Sequence, residues 1–439
     1  MIPAERGAHG PLATATTAAP HPGGRLGGML SFDQKLDNLA TLALRVGVNL
    51  QAGQRLLLMG PIEAADLVRR IAARAYDLGA PYVHVLYVDE QVNLIRAQRS
   101  PAEALDDYPE AVRDLVHGMA ERGDAYLRVG GSDPDLMSAA DPQRVASMVR
   151  AQRRVMRPVS DLVQRSHMPW TIVDYAVPAW ATKVFPGTPE EDAVTKLWDA
   201  IFAACRADVD DPLGAWERHV AQLARARDAL NAQAFEALHL RAPGTDLRVG
   251  LADTHTWESG GQHAGVNGAF FVANIPTEEV FTAPHAQRAS GTVRATKPLS
   301  YQGQLIDGFS LTFEDGAVVD FAAERGETVL KGLLEIDEGA RRLGELALVP
   351  HSSPISQSGL LFYNTLFDEN AACHLALGRA YETTLRGGTT RPLEALVADG
   401  FNQSLTHVDF MFGSEALDVD GIKEGGSSVP VMRGGEWAL

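Results

Sequence analysis

Cysteine is nearly missing from this chain: Cys205 and Cys373 are the only two, with no CxxC pair and no spacing of a disulfide framework, which points to a reducing cytoplasm. Positive charge is short as well. Against 56 acidic residues stand 39 Lys and Arg, a net charge of −17, which argues against a nucleic-acid partner or an anionic membrane surface. The balance suits cationic ligands such as peptide N-termini. No apolar run approaches the roughly 20 residues that a spanning helix needs. There is no HExxH and no GxSxG, and Gly130-Gly131-Ser132 lacks both GxGxxG and the Walker lysine, so zincin, serine hydrolase and nucleotide-binding readings fall away.

What is present is an ordinary globular balance, 45% hydrophobic and 22% charged, over a length of 439 that predicts two or three domains. Residues 1–30 are expected to be a disordered tail, rich in Ala, Thr, Pro and Gly and without the apolar core of a secretory signal. From Ser31-Phe32-Asp33-Gln34, a capping box, helix and strand patterns alternate. Strands at Arg55–Gly60, Tyr82–Val88, Ala125–Val129 and Trp170–Val173 with helices between them predict βαβ units and a mostly parallel sheet in residues 31–240. A helix from Asp211-Pro212 is expected to run to about Ala232, with more helix to Leu238. After Arg241-Ala242-Pro243-Gly244 the texture changes to short strands and glycine turns. Residues 241–439 are therefore expected to form an α+β domain, with helices at 327–334, 369–385 and 392–398.

Chemistry-bearing side chains gather in this second half. Glu278, Glu279, Glu345, His374, His407 and Asp409 are oxygen and imidazole donors of the kind that hold a pair of divalent metals. His407 and Asp409 flank Val408 in an apolar, β-branched run, and residues i and i+2 of a strand point to one side. Glu345 lies within Leu343-Gly344-Glu345-Leu346-Ala347-Leu348, where a carboxylate costs several kcal/mol unless it is paired or bound to metal. Ala371–Tyr381 reads as a helix capped by Asn370 or Asp368, on which His374 and Tyr381 lie about 20° apart. Of the adjacent Glu278 and Glu279, an extended chain points one each way, so one ligates and the other faces away or supports it.

Asn274-Ile275-Pro276-Thr277-Glu278-Glu279-Val280-Phe281, Asp368-Glu369-Asn370-Ala371-Ala372-Cys373-His374 and Thr406-His407-Val408-Asp409 closely resemble the aminopeptidase T family of thermophilic aminopeptidases. The likeness extends from about Ser31 onward. It implies a C-terminal catalytic domain, a cytoplasmic homodimer, peptide substrates with a free N-terminus, and two divalent ions per protomer (zinc, cobalt or magnesium). The implied ligands are Glu279, Glu345, His374, His407 and Asp409, with Tyr381 as the catalytic tyrosine. Glu278 is then the candidate general base. Two other readings use the same residues: a metal-dependent amidohydrolase or dipeptidase on other substrates, and a non-catalytic peptide-binding scaffold.

Overall fold

The computed structural model describes residues 30–301 and 304–439. The expected tail falls, apart from Leu30, outside the described residues. Strands Leu56–Pro61, Val83–Val88, Ala125–Gly130 and Trp170–Asp174 form a wholly parallel sheet, in which the first lies between the second and third and the fourth is at an edge. Alternation on the central strand explains the layering. Leu56 and Leu58 pack with Leu36, Leu67 and Phe202 of the helices on one side, while Leu57 packs with Val116, Met119 and Val159 on the other.

The second half contains a five-stranded and an eight-stranded sheet. In the smaller, Glu258–Ser259, Val280–Thr282, Leu343–Leu348, His374–Gly378 and His407–Met411 lie side by side in chain order, every pair antiparallel. A period of two divides their side chains. Leu346, Leu348, Leu375, Leu377 and Phe410 face inward and share a core with Leu247 and Val249 of the larger sheet. Glu345, His374, Asp409 and their alternates are left on the opposite face.

Two sequence expectations change here. Ala371–Tyr381 is not a helix: a short 3₁₀ turn at Glu369–Ala371 leads into the strand His374–Gly378. Its composition suits a helix, but only the two-residue period buries Leu375 and Leu377 while turning His374 and Ala376 outward. Likewise, helix does not continue to Leu238. It stops at Ala234, which adopts φ 49°, and Ala237–Ala242 is a strand of the eight-stranded sheet.

The two halves are joined at the site. Asn274 bridges to Ile172 in parallel fashion; Ile172 N–H donates to the Ala273 carbonyl and Ile275 N–H to that of Ile172. The segment thus extends the edge of the parallel sheet and delivers Thr277, Glu278 and Glu279 to the start of the next strand.

Candidate metal centre

Register assembles the site. Glu345 is opposite Ala376, Ala376 opposite Asp409, Ala347 opposite His374, and His407 opposite Gly378, so these side chains share a face. Phe281 is opposite Ala347, which places Phe281, and Glu279 two residues before it, on that face too. The intervening positions are Ala347, Ala376 and Gly378, small enough to leave space above the sheet for ions between the longer donors.

The donors converge closely. His374 Nε2 lies 3.1 Å from Glu279 Oε2 and 3.4 Å from Glu345 Oε1. His407 Nε2 lies 3.6 Å from Glu345 Oε2 and 3.3 Å from Asp409 Oδ1. Glu279, Glu345 and His374 form one group, and Glu345, His407 and Asp409 a second; within each, one ligand atom per residue lies within 4.8 Å of the others. Both imidazoles are oriented from behind. Nδ1–H of His407 donates to the Arg379 carbonyl at 2.6 Å, and Nδ1–H of His374 to that of Ala372 at 3.2 Å, which turns each Nε2 towards the carboxylates. Asp409 Oδ1 is buried and makes no well-aligned hydrogen bond, its nearest polar neighbour being His407 Nε2 at 3.3 Å, and a cation between the two would satisfy it. The donor set therefore fits a divalent metal.

Electrostatics agree. Burial pushes the Glu345 carboxyl up to about 7, helped by the anionic Glu279 and opposed by the hydrogen bond from His374. Burial disfavours charge on His374, yet Glu279 and Glu345 outweigh it and hold the imidazole well above its ordinary value. His407 is likewise penalised by burial but carried up to about 10, chiefly by Asp409. Without cations, then, the carboxylates hold protons on both imidazoles, and metal must displace them. A group whose pKa is raised by folding lends stability that is full below its unfolded value, about 6.5 for histidine, and is lost as pH rises through the folded value. The metal-free protein is expected to lose thermal stability between pH 7 and pH 10 as His407 discharges, and the increment from added metal to grow over the same interval. Calorimetry with and without chelator checks this; a metal increment that shrinks as pH rises would contradict it.

Tyr381 follows the His374 strand, its ring centroid 4.7 Å from that of His407 and 6.4 Å from that of Phe281. The residue is 40% exposed at the rim of the cleft, yet desolvation by the surrounding protein, then Glu345 and Asp409, push its pKa well above the ordinary value. The cleft lined by Glu279, Glu345, Tyr381, His407 and Asp409 has a volume of about 280 Å³, and Val163, Gln164, Ser166 and Trp170 of the first half line it as well.

Glu278 is not brought to that cavity. Both its oxygens engage Arg206, at 2.6 and 3.1 Å, and its backbone N–H donates to Asn370 Oδ1 at 2.7 Å. His219 completes the clamp: its Nε2–H donates to the Thr277 carbonyl at 2.7 Å, and its Nδ1 accepts from Arg206 at 3.2 Å. Burial lowers the His219 pKa, in keeping with the neutral ring this geometry needs. Strand parity thus turns Glu278 away and Glu279 inward. Two further carboxylates line the cleft, Glu258 and Glu369, and the latter is raised well above its ordinary pKa by burial and by Asp409 and Glu279. The helix reading concealed it.

Among known proteins, the sequence profile described as thermophilic metalloprotease (M29) matches residues 32–437. Aminopeptidase 2 of Geobacillus stearothermophilus is 47% identical, over 94% of this chain and 99% of its own length. Aminopeptidase T of Thermus thermophilus is also 47% identical, over 94% of this chain and 100% of its own. The solved structure of wild-type AmpT from Thermus thermophilus superimposes with a TM-score of 0.89 at 46% identity, covering 93% of this chain and 100% of that one. With nearly the whole length matched in sequence and in fold, the chain belongs to the thermophilic metalloprotease (M29) family.

Proposed function

We propose that the chain is an aminopeptidase that binds two divalent cations and removes the N-terminal residue from peptides of varied sequence. The observation that carries this reading is Glu345, whose two oxygens address different groups, Oε1 towards His374 (3.4 Å) and Oε2 towards His407 (3.6 Å). A carboxylate so placed would contribute one oxygen to each of two cation positions. Glu279 and His374 would complete one position, His407 and Asp409 the other, and mixed carboxylate and imidazole donors are compatible with zinc, cobalt or magnesium. Such cations, when bound, lower the pKa of a water towards about 7 and polarise a carbonyl oxygen.

The remaining work falls to side chains. Glu369, whose carboxylate form cations in the site would favour against its burial and its acidic neighbours, takes the proton of the attacking water and passes it to the departing amide nitrogen. Tyr381, whose raised pKa keeps its proton in place at neutral pH, donates to the carbonyl oxygen as charge develops there. Attack on the first peptide bond is supported by the names of the relatives and by the acidic cleft, which attracts an α-ammonium. Breadth of substrate is supported by Val163, Trp170 and Phe281, which give the cleft apolar surface beside its acids. Both free thiols, Cys205 and Cys373, are buried, in keeping with a cytoplasmic protein. The homodimer that the resemblance implies is measured by sedimentation.

The test is hydrolysis of leucine p-nitroanilide beside its N-acetylated form, with metal content determined per protomer. Cleavage of the free amine alone and two ions per protomer are expected. Equal cleavage of the acetylated compound would overturn the exopeptidase reading, and full activity with one ion would overturn the bridge.

A further inference from the structure

We propose that Glu258 forms the far wall of the pocket for the substrate's first side chain and gives this enzyme a preference for N-terminal arginine and lysine. The inference rests on the aminopeptidase reading and adds a substrate class to it. Register supplies the placement. Glu258 is paired with Phe281 across antiparallel strands, and Phe281 with Ala347 across the next pair, so Glu258 stands on the face that carries Glu279, Glu345 and His374. Its strand is two places from the Glu345 strand, about 10 Å at the usual spacing. Glu258 lines the same cleft as Glu345, Glu369 and Asp409.

That separation selects the part of the substrate Glu258 can meet. The α-amine of a peptide is two bonds from its first carbonyl carbon, and a carbonyl held among Glu345, Tyr381 and His407 keeps the amine beside them. An extended lysine or arginine side chain crosses the remaining distance. Phe281 lies between, its ring edge-on to Tyr381 at 6.4 Å, and offers apolar surface for the methylene stem.

The charge of Glu258 is only partly compensated. It forms no ion pair among the described residues; Arg227, the cation whose field reaches it, is committed to Asp228 at 2.7 Å. Burial raises the Glu258 carboxyl, opposed by Arg227 and by a hydrogen bond with Thr256. A half-buried carboxylate that faces a substrate cleft without a cation of its own is stabilised when the substrate brings one.

Arginine, lysine, leucine and glutamate p-nitroanilides would be compared on the metal-loaded wild type and on Glu258→Gln. Wild type is expected to favour arginine and lysine over leucine. The substitution should lower kcat/KM for the two cationic substrates by roughly tenfold to a hundredfold while leaving leucine within about twofold, and glutamate should improve. An equal loss on every substrate would assign Glu258 to the α-amine or to scaffolding and overturn the proposal, as would an unchanged ratio of arginine to leucine. Should Glu258→Gln fold poorly, Glu258→Ser reads the same ratio. Failure of the wild type to cleave leucine anilide would count against the aminopeptidase reading instead, so the two ideas fail separately.

Discussion

Glu345→Gln is expected to abolish hydrolysis and to lower the affinity of both cation positions at once, whereas His407→Ala should weaken one of them. The asymmetry follows from geometry. Glu345 is the member shared by both donor groups, while His407 belongs only to the group with Asp409. An amide offers one neutral oxygen in place of two anionic ones, so it cannot bridge, and the negative field that holds cations between Glu279 and Asp409 is reduced. Loss of transition-state stabilisation worth several kcal/mol corresponds to at least about a thousandfold in kcat/KM. The fold should survive, because Gln is isosteric and burial of the Glu345 carboxylate is itself unfavourable, as its pKa of about 7 shows. Metal content after dialysis, kcat/KM and circular dichroism together decide the matter. Two tightly held ions in Glu345→Gln, or activity within tenfold of wild type, would show that the two groups are not joined through this residue.

Some of this arrangement was legible in the residues and some was not, and the difference lies in the range over which each feature is decided. Strands such as Leu56–Pro61 announce themselves through consecutive apolar residues that are buried on both sides of a parallel sheet. The His407/Asp409 pair is equally local, since a strand fixes residues i and i+2 to one face whatever surrounds it. Glu345 is conspicuous because an acid within an apolar strand needs a partner. His374 is a candidate ligand on a predicted helix, but a strand is what positions it. Its segment has helix-forming residues after a good cap, and only antiparallel pairing with Leu343–Leu348 and His407–Met411 makes it a strand. The assignment between Glu278 and Glu279 is likewise non-local: strand parity says that they differ, but Arg206, 72 positions away, decides which one turns from the cavity. Glu369 was hidden for the same reason. It is placed by the turn before the His374 strand, whose neighbour Asn370 is held by the N–H of Glu278 across 92 positions, and by Leu366, whose carbonyl accepts from Asn370 Nδ2.

Glu369→Gln and Glu278→Gln separate the roles of these two acids. In Glu369→Gln the cleft loses a proton acceptor and keeps every donor of the two metal groups, so metal content and KM should stay near wild type while kcat falls by about a hundredfold to ten-thousandfold, the range for a lost general base. The dependence of kcat on pH should lose its acidic limb, because the group whose ionisation it reports is gone. Glu278→Gln should behave otherwise. It leaves Arg206 partly buried against a neutral amide, and removing the side chain altogether in Glu278→Ala should cost about 3 kcal/mol of stability, as breaking a buried ion pair does. Any loss of activity should then track misplacement of Glu279. It should appear with reduced metal affinity and be reproduced by Arg206→Ala, a residue whose guanidinium holds Glu278 on the far side of the strand from the cavity. If Glu278→Gln instead lowered kcat a thousandfold with metal content and melting temperature unchanged, Glu278 would be the base and Glu369 a bystander in the cleft.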